Sequence, residues 1–168
     1  MWEDVVAPPR AAHDARDFRA ALGCFPTGVC LVTTLGPAGK PEGLTINSFS
    51  SISLDPPMVL WSLARGASCA PVFRDAEYFA VSVLASGDGA LSSHFARSSP
   101  DKFAAFAERF TPGLGGAPLL SGAAARFECH SRYRKYGGDH IIIIGAVERY
   151  TWSDVPPLLF HRGRFSPA

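Results

Sequence analysis

Residues 43–63 read Gly43-Leu-Thr-Ile-Asn47-Ser-Phe-Ser-Ser-Ile-Ser-Leu-Asp55-Pro-Pro-Met-Val-Leu-Trp-Ser-Leu63, and the reading of this stretch decides the fold class. Thr45, Asn47, Ser48, Ser50, Ser51 and Ser53 are interleaved with Leu44, Ile46, Phe49, Ile52 and Leu54, an alternation that predicts a strand with one buried face. The polar side holds hydroxyls and one amide and carries no charge before Asp55. Surface strands ordinarily carry Lys, Glu or Arg, so an uncharged row of donors and acceptors suits a polar, electrically neutral ligand lying along the backbone. A Ser/Thr-rich strand whose hydroxyls satisfy neighbouring backbone groups is the alternative.

Towards the N-terminus, Phe18, Ala21, Leu22 and Phe25 fall at helical spacing behind Asp14 and Asp17, which predicts a helix over 14–24 packed on a barrel. Phe25-Pro-Thr-Gly28 breaks it, residues 29–34 are rich in β-branched side chains, and the turn 36–41 folds that strand back onto the 43–63 segment. Residues 1–13 have two prolines and no periodicity, and predict a flexible arm ahead of one domain over 14–168.

Towards the C-terminus, residues 58–63 are apolar enough for a strand buried on both faces. Ser68 ahead of Pro71 predicts the cap of a short helix to about Arg74. A strand follows over 78–85, then short helices over 86–96 and 100–109, the latter capped by Ser99 with Pro100 at its first position, and a loop over 113–122. Residues 125–136 alternate, with Phe127, Cys129, Ser131 and Tyr133 on one face and Arg126, Glu128, His130, Arg132 and Arg134 on a solvated one. Gly137 and Gly138 turn the chain into a strand over 140–147, apolar on both sides, and residues 158–165 can add a last one. The expected fold is mainly β: an antiparallel six- or seven-stranded barrel with short peripheral helices.

Composition removes several classes of function. A net charge of +1 with 18% charged residues provides no field for nucleic acid. Four cysteines without a C-x-x-C pair and five histidines without close ligand spacing argue against a metal centre, and free thiols suit a reducing cytoplasm. No apolar run is long enough for a membrane span. Pro41 stands where a phosphate loop needs Ser or Thr, and neither Gly-x-Gly-x-x-Gly nor Gly-x-Ser-x-Gly occurs. The twelve Phe within a 47% hydrophobic composition hint at apolar surface covered by a second subunit.

Taken with Pro26-Thr-Gly-Val29 before it and Gly138-Asp139-His140 after it, the 43–63 segment resembles the flavin reductase family with the FMN-binding split-barrel fold. The similarity runs from about Asp17 to the end, with the motifs Thr-Gly-Val, Thr-x-Asn-Ser-Phe-x-Ser-x-Ser-Leu-x-Pro-Pro and Gly-Asp-His in order. Such proteins are the reductase components of two-component flavin monooxygenases.

The resemblance implies a homodimer that reduces FMN or FAD with NADH or NADPH and passes reduced flavin by diffusion to a partner monooxygenase. It implies that Thr45, Ile46, Asn47 and Ser48 hold the ring edge and ribityl chain, that Ser51 and the region from Leu63 to Ser68 help enclose them, and that Thr27, Gly28 and Ser50 also bind the cofactor. Ser68, Ser92 or Ser93, His94, Phe95 and Lys102 are its phosphate candidates, although Lys102 also suits an ordinary solvated helix. His140 is placed on the nicotinamide side, as the residue closest to a catalytic one, with Asp139 orienting it and Arg162 and Arg164 near the dinucleotide phosphates. As residues alone, His140 and the arginines also suit a plain surface. Two other classes stay open: a barrel that keeps FMN tightly and acts on an organic substrate, and a module that stores flavin or haem without turnover.

Overall fold

The decisive stretch folds as three strands rather than the two expected, and the break between the first two closes the molecule. In the computed structural model, which describes residues 14–99 and 101–168, the chain runs α1 (Ala15–Leu22), β1 (Thr27–Gly28), β2 (Cys30–Leu35), β3 (Pro41–Ile46), β4 (Ser50–Leu54), β5 (Pro57–Ala64), α2 (Ala70–Asp75), β6 (Tyr78–Val83), α3 (Gly89–Phe95), β7 (Phe110–Pro112), β8 (Pro118–Leu120), β9 (Ala125–Gly137), β10 (His140–Trp152), β11 (Leu158–His161) and β12 (Arg164–Pro167). The expected arm over 1–13 and the expected Pro100 helix start lie outside the described residues.

Seven strands make the main sheet in the order β3-β2-β6-β9-β10-β5-β4, all antiparallel. β3 and β4 follow each other in sequence yet occupy opposite edges. A flat seven-stranded sheet would hold its edges about 29 Å apart, whereas the chain from Ile46 to Ser50 reaches about 14 Å at most. The sheet therefore curls until its edges face each other across an unpaired seam, which is a split barrel. β1, β11 and β12 form a separate three-stranded sheet.

Two cores result. Trp61, Leu63, Phe73, Phe79, Val81, Cys129, Ile141 and Ile143 fill the barrel, with Trp61 edge-on to Phe73 and Phe79. Leu31, Leu84, Leu91, Phe95, Leu120 and Leu158 form the second beneath it, bordered by Phe103, Phe106 and Phe110. β2 lies between the two and sends Val32 to one and Leu31 to the other, so it is buried along nearly its whole length.

Several expectations need correction. β5 is not buried on both faces: Val59, Trp61 and Leu63 point inward, while Met58, Leu60 and Ser62 are half-buried, because the barrel has one interior. In β10, by contrast, the two apolar faces divide as that strand's sequence leads one to expect: Ile141 and Ile143 are inside, while Ile142 and Ile144 lie half-buried on the outer face. β4 has no buried face, with Leu54 92% exposed, since it is an edge strand with an irregularity between Ser51 and Ser53.

α1 buries no residue. It is anchored at its C-terminal end, where Arg162 N–H donates to Gly23 O at 3.0 Å. The cap of α2 is Cys69 and not Ser68. The expected helix over 100–109 is a kinked 3-10 turn, Ala104–Arg109, whose start is held by Asp101 Oδ1 accepting from Ala104 N–H. The expected loop over 113–122 contains β8, paired with β7. β10 runs on to Trp152, well past the expected end at 147.

Gly145 shows how tightly the barrel is filled: a Cβ there would meet Phe79 Cζ at 2.5 Å and Cys129 Cβ at 3.0 Å. Both neighbours are buried and cannot swing away. Gly145→Ala should therefore cost about 1–3 kcal/mol through overpacking, read as a lower urea midpoint with an unchanged slope. An unchanged midpoint would show that the core at this bulge is loose.

Candidate functional site

The three residues that cross the seam each face a different way. Phe49 turns inward and stacks on Phe127 of β9, with ring centroids 5.4 Å apart. Ser48 turns to β5, where its hydroxyl accepts from Ser62 N–H at 3.0 Å and donates to Ser62 O at 3.2 Å. The β4–β5 ladder ends at the Ser50–Leu60 pair, so this hydroxyl stands in for the missing strand partner two residues further on. Asn47 is left exposed. Thr45 is also committed, donating to Ser92 O at 2.8 Å. The uncharged row is thus divided: Thr45 and Ser48 satisfy backbone, and Asn47 faces outward.

Asn47 lines a groove of about 900 Å³ shared with Arg16, Arg19, Thr27, Phe160 and Arg162. A shallower cleft bounded by Thr45, Ile46, Ser92, Phe160 and Phe165 continues it, with Asn47 and Phe160 common to both. Thr27 Oγ1 and Ser92 Oγ are shut off from solvent with no hydrogen-bond partner among the described residues. An orphaned buried hydroxyl costs about 1–3 kcal/mol, and a ligand carrying neutral donors and acceptors would remove that cost.

His140 opens β10, opposite Gly137 on β9 and Ala64 on β5. Gly138, at φ +63°, lies in the left-handed region that lets the chain reverse within two residues. His140 Nδ1 lies 2.7 Å from Asp139 Oδ1. That hydrogen bond, then the imidazole charge, hold the Asp139 carboxyl below its usual range, and the charge of Arg19 contributes in the same direction. With Nδ1–H donating to the carboxylate, Nε2 is the nitrogen left to meet a ligand. Arg19 also lines the groove, and Ser62, which holds the seam, is two residues from Ala64 on the same strand, a rise of about 7 Å. The Asn47 crossing and the Asp139–His140 pair therefore share one end of the barrel.

Residues 22–168 match the flavin reductase like domain. The chain belongs to this family. It is 43% identical over 164 residues to the FMN reductase (NADH) SmoA of Agrobacterium fabrum, covering 97% of this chain and 90% of that one. It superposes on the Streptomyces globisporus NADH:FAD oxidoreductase SgcE6, solved with NAD and FAD fragments, with a TM-score of 0.85 and 38% identity over 94% of this chain and 96% of that one. It is also 40% identical over 94% of its length to the reductase component of the flavin-dependent trigonelline monooxygenase of Acinetobacter baylyi, spanning 51% of that protein.

For a flavin reductase, the uncharged cleft at Thr45, Asn47 and Phe160 and the orphaned Thr27 and Ser92 hydroxyls fit a flavin. The expected contacts are not all in one place. Thr27, Thr45, Ile46, Asn47 and Arg162 gather at the groove and its cleft, with Gly28 exposed on the next position of β1 and Ser50 and Ser51 exposed on β4. Leu63 and Phe95 have no exposed surface, and their side chains serve the two cores. Ser68 is exposed just before α2.

Lys102 is neither a solvated helix lysine nor a member of the groove. Its ammonium donates to Gly43 O at 3.1 Å and Phe95 O at 3.0 Å, burial lowers its pKa, and it lines a different pocket of about 290 Å³ with Lys40 and Glu42. His94 braces it, with Nε2 2.9 Å from Lys102 O. Residue spacing did not single out Arg16, Arg19 or Phe160. The two arginines stand three apart on one helix face, a signal without meaning until the facing hairpin is in place. Among the described residues no cluster of His, Cys, Asp and Glu has metal-binding geometry, and no helix is long and apolar enough to cross a membrane.

Ser48→Ala removes a donor and an acceptor from one peptide and leaves Ser62 N–H without its partner. The variant should lose about 1–3 kcal/mol of stability even with no ligand present, seen as a lower thermal midpoint. A parental midpoint would mean that the crossing is held by Phe49 alone.

Proposed function

We propose that the protein reduces FMN or FAD with NADH or NADPH and releases the reduced flavin to a separate monooxygenase. The observation that carries this reading is the juxtaposition, at one end of the barrel, of the uncharged part of the groove, Thr27, Asn47 and Phe160, with the Asp139–His140 pair. SmoA and SgcE6 support it through the activities in their names, one with FMN and one with FAD, and both flavins accordingly stay in the proposal. The trigonelline protein, named as the reductase component of a monooxygenase, supports transfer to a second enzyme.

A bound flavin supplies a ring that takes a hydride from reduced nicotinamide. The protein's part is binding and alignment. Asn47 offers an amide to the polar ring edge, Thr27 and Ser92 offer hydroxyls, and Phe160 covers apolar ring surface. His140, fixed through Nδ1 by Asp139, presents Nε2 for a hydrogen bond with the nicotinamide carboxamide, which carries both a donor and an acceptor. None of these roles moves a proton, so no acid with a strongly shifted pKa is required. A reducing cytoplasm suits the four unpaired cysteines.

The active species in this reading is a homodimer. Outside the barrel, Ile142 and Ile144 pair across the sheet with Ser62 and Leu60 on one side and with Lys135 and Tyr133 on the other. Tyr133 is 58% exposed, and a second subunit would cover this apolar strip. Light scattering at low micromolar concentration should give twice the chain mass; a monomer would remove the dimer.

Two substitutions separate the ligands. Asn47→Ala should raise the flavin Kd several-fold, about 0.5–1.5 kcal/mol for one neutral hydrogen bond, without lowering the melting temperature. His140→Ala should leave flavin titrations unchanged while slowing reduction or raising the KM for NAD(P)H by about 1–2 kcal/mol. Stopped-flow reduction at the parental rate and nicotinamide dependence would return His140 to a plain surface role.

A further inference from the structure

α3 carries Ser92, whose buried hydroxyl lines the cleft beside Asn47 and has no hydrogen-bond partner among the described residues. The helix spans only Gly89–Phe95, and a helix this short is not stable by itself in water. Its orientation against β3 is therefore set by contacts from outside, and two hydrogen-bonded links supply it. Thr45 Oγ1 donates to Ser92 O at 2.8 Å. Lys102 Nζ donates both to Phe95 O at 3.0 Å and to Gly43 O at 3.1 Å.

The two links join the same pair of surfaces. Gly43 and Thr45 stand two apart on β3 and share a face, and Ser92 and Phe95 stand three apart on α3 and share a side. Gly43 permits the close approach: a Cβ there would meet Phe103 Cζ at 3.1 Å and Phe95 Cδ1 at 3.4 Å. Phe95 O is one of the carbonyls that a helix end leaves without a partner in the helix, and a cation is favoured beside it. His94 Nε2, 2.9 Å from Lys102 O, holds the lysine's own backbone. Among the described residues no carboxylate lies within ion-pair distance of the ammonium. Methionine would fill much of the same space without desolvating a charge, so what the ammonium adds is a fixed separation between β3 and α3.

From this arrangement we infer that Lys102 is a positioning residue of the ligand cleft: by tying the end of α3 to β3 it holds the Ser92 hydroxyl at the cleft without touching the ligand itself. The inference rests on the reading of the cleft as a flavin site and deepens it. It replaces the phosphate contact that the family resemblance implies for this lysine. Two of the three ammonium donors are committed to carbonyls, and the pocket that Lys102 lines has no residue in common with the cleft.

The test uses the full chain and titrates it with FMN and with riboflavin, which has the same ring and ribityl chain but no phosphate. Lys102→Met should raise the Kd of both by the same factor, about three- to tenfold, as for the loss of one neutral hydrogen bond. In a Ser92→Ala background, which itself raises both constants, the further effect of Lys102→Met should fall within about twofold, since the lysine acts through that hydroxyl. His94→Gln loosens the backbone of the lysine and should show the same equal rise at lower amplitude, so the inference is still decided if Lys102→Met does not fold. A rise for FMN alone makes Lys102 a phosphate ligand and overturns the inference. So do unchanged constants for both flavins, or a Lys102→Met effect undiminished by Ser92→Ala. A parental protein that binds neither flavin would refute the flavin reading itself, and this is seen before any variant is made.

Discussion

The constraint on which the rest of the structure depends is the short crossing between the edges of the sheet. Three residues join strands that a flat sheet would hold far apart, so curvature, seam and groove follow from a distance that the chain cannot exceed. Ser48 makes that crossing rigid by donating to and accepting from one peptide of β5. Phe49 seals it from within against Phe127. Asn47 is then presented to the outside by two neighbours that have been fixed, and this division of three consecutive side chains turns a structural seam into a place where a ligand can bind.

The architecture was largely legible because strands announce themselves by alternation and β-branched residues. Antiparallel pairing, the approximate strand count and the helix before Phe25 all follow from local pattern. The break at 47–49 was not legible, because the alternation of small polar and apolar residues continues through it; what ends the strand is a hydroxyl bonding to a peptide 14 residues away. The supposed double burial of β5 failed for a related reason. A run of apolar residues says that both faces avoid water and does not say that both meet the interior of the same chain.

The site was legible as a set of residue types and only in part as a place. Asn47, Thr27 and His140 are brought to one end of the barrel, whereas Leu63 and Phe95 fall in the cores and Lys102 is bound to two backbone carbonyls in a separate pocket. The hydroxyls also divide in a way composition does not specify: Thr45 and Ser48 satisfy the backbone, while Thr27 and Ser92 are left orphaned. The alternative in which hydroxyls satisfy backbone holds for Thr45 and Ser48 of the polar row. Arg16 and Arg19 were not legible as groove residues because they stand more than 140 residues from Arg162 and meet it only when the terminal hairpin closes on α1.

β2 has a consequence that reaches beyond geometry. Its successive side chains belong alternately to the barrel core and to the cluster around Phe95, so the two clusters have this strand as a common wall. Opening the lower layer would expose one face of the strand on which the upper one is built. Melting of either half therefore carries the other with it, and the two cores behave as a single cooperative unit. The small outer sheet is part of that unit, since β11 sends Leu158 into the lower core, whereas α1 buries no residue and is tied on only at its C-terminal end, so its loss would leave both cores intact.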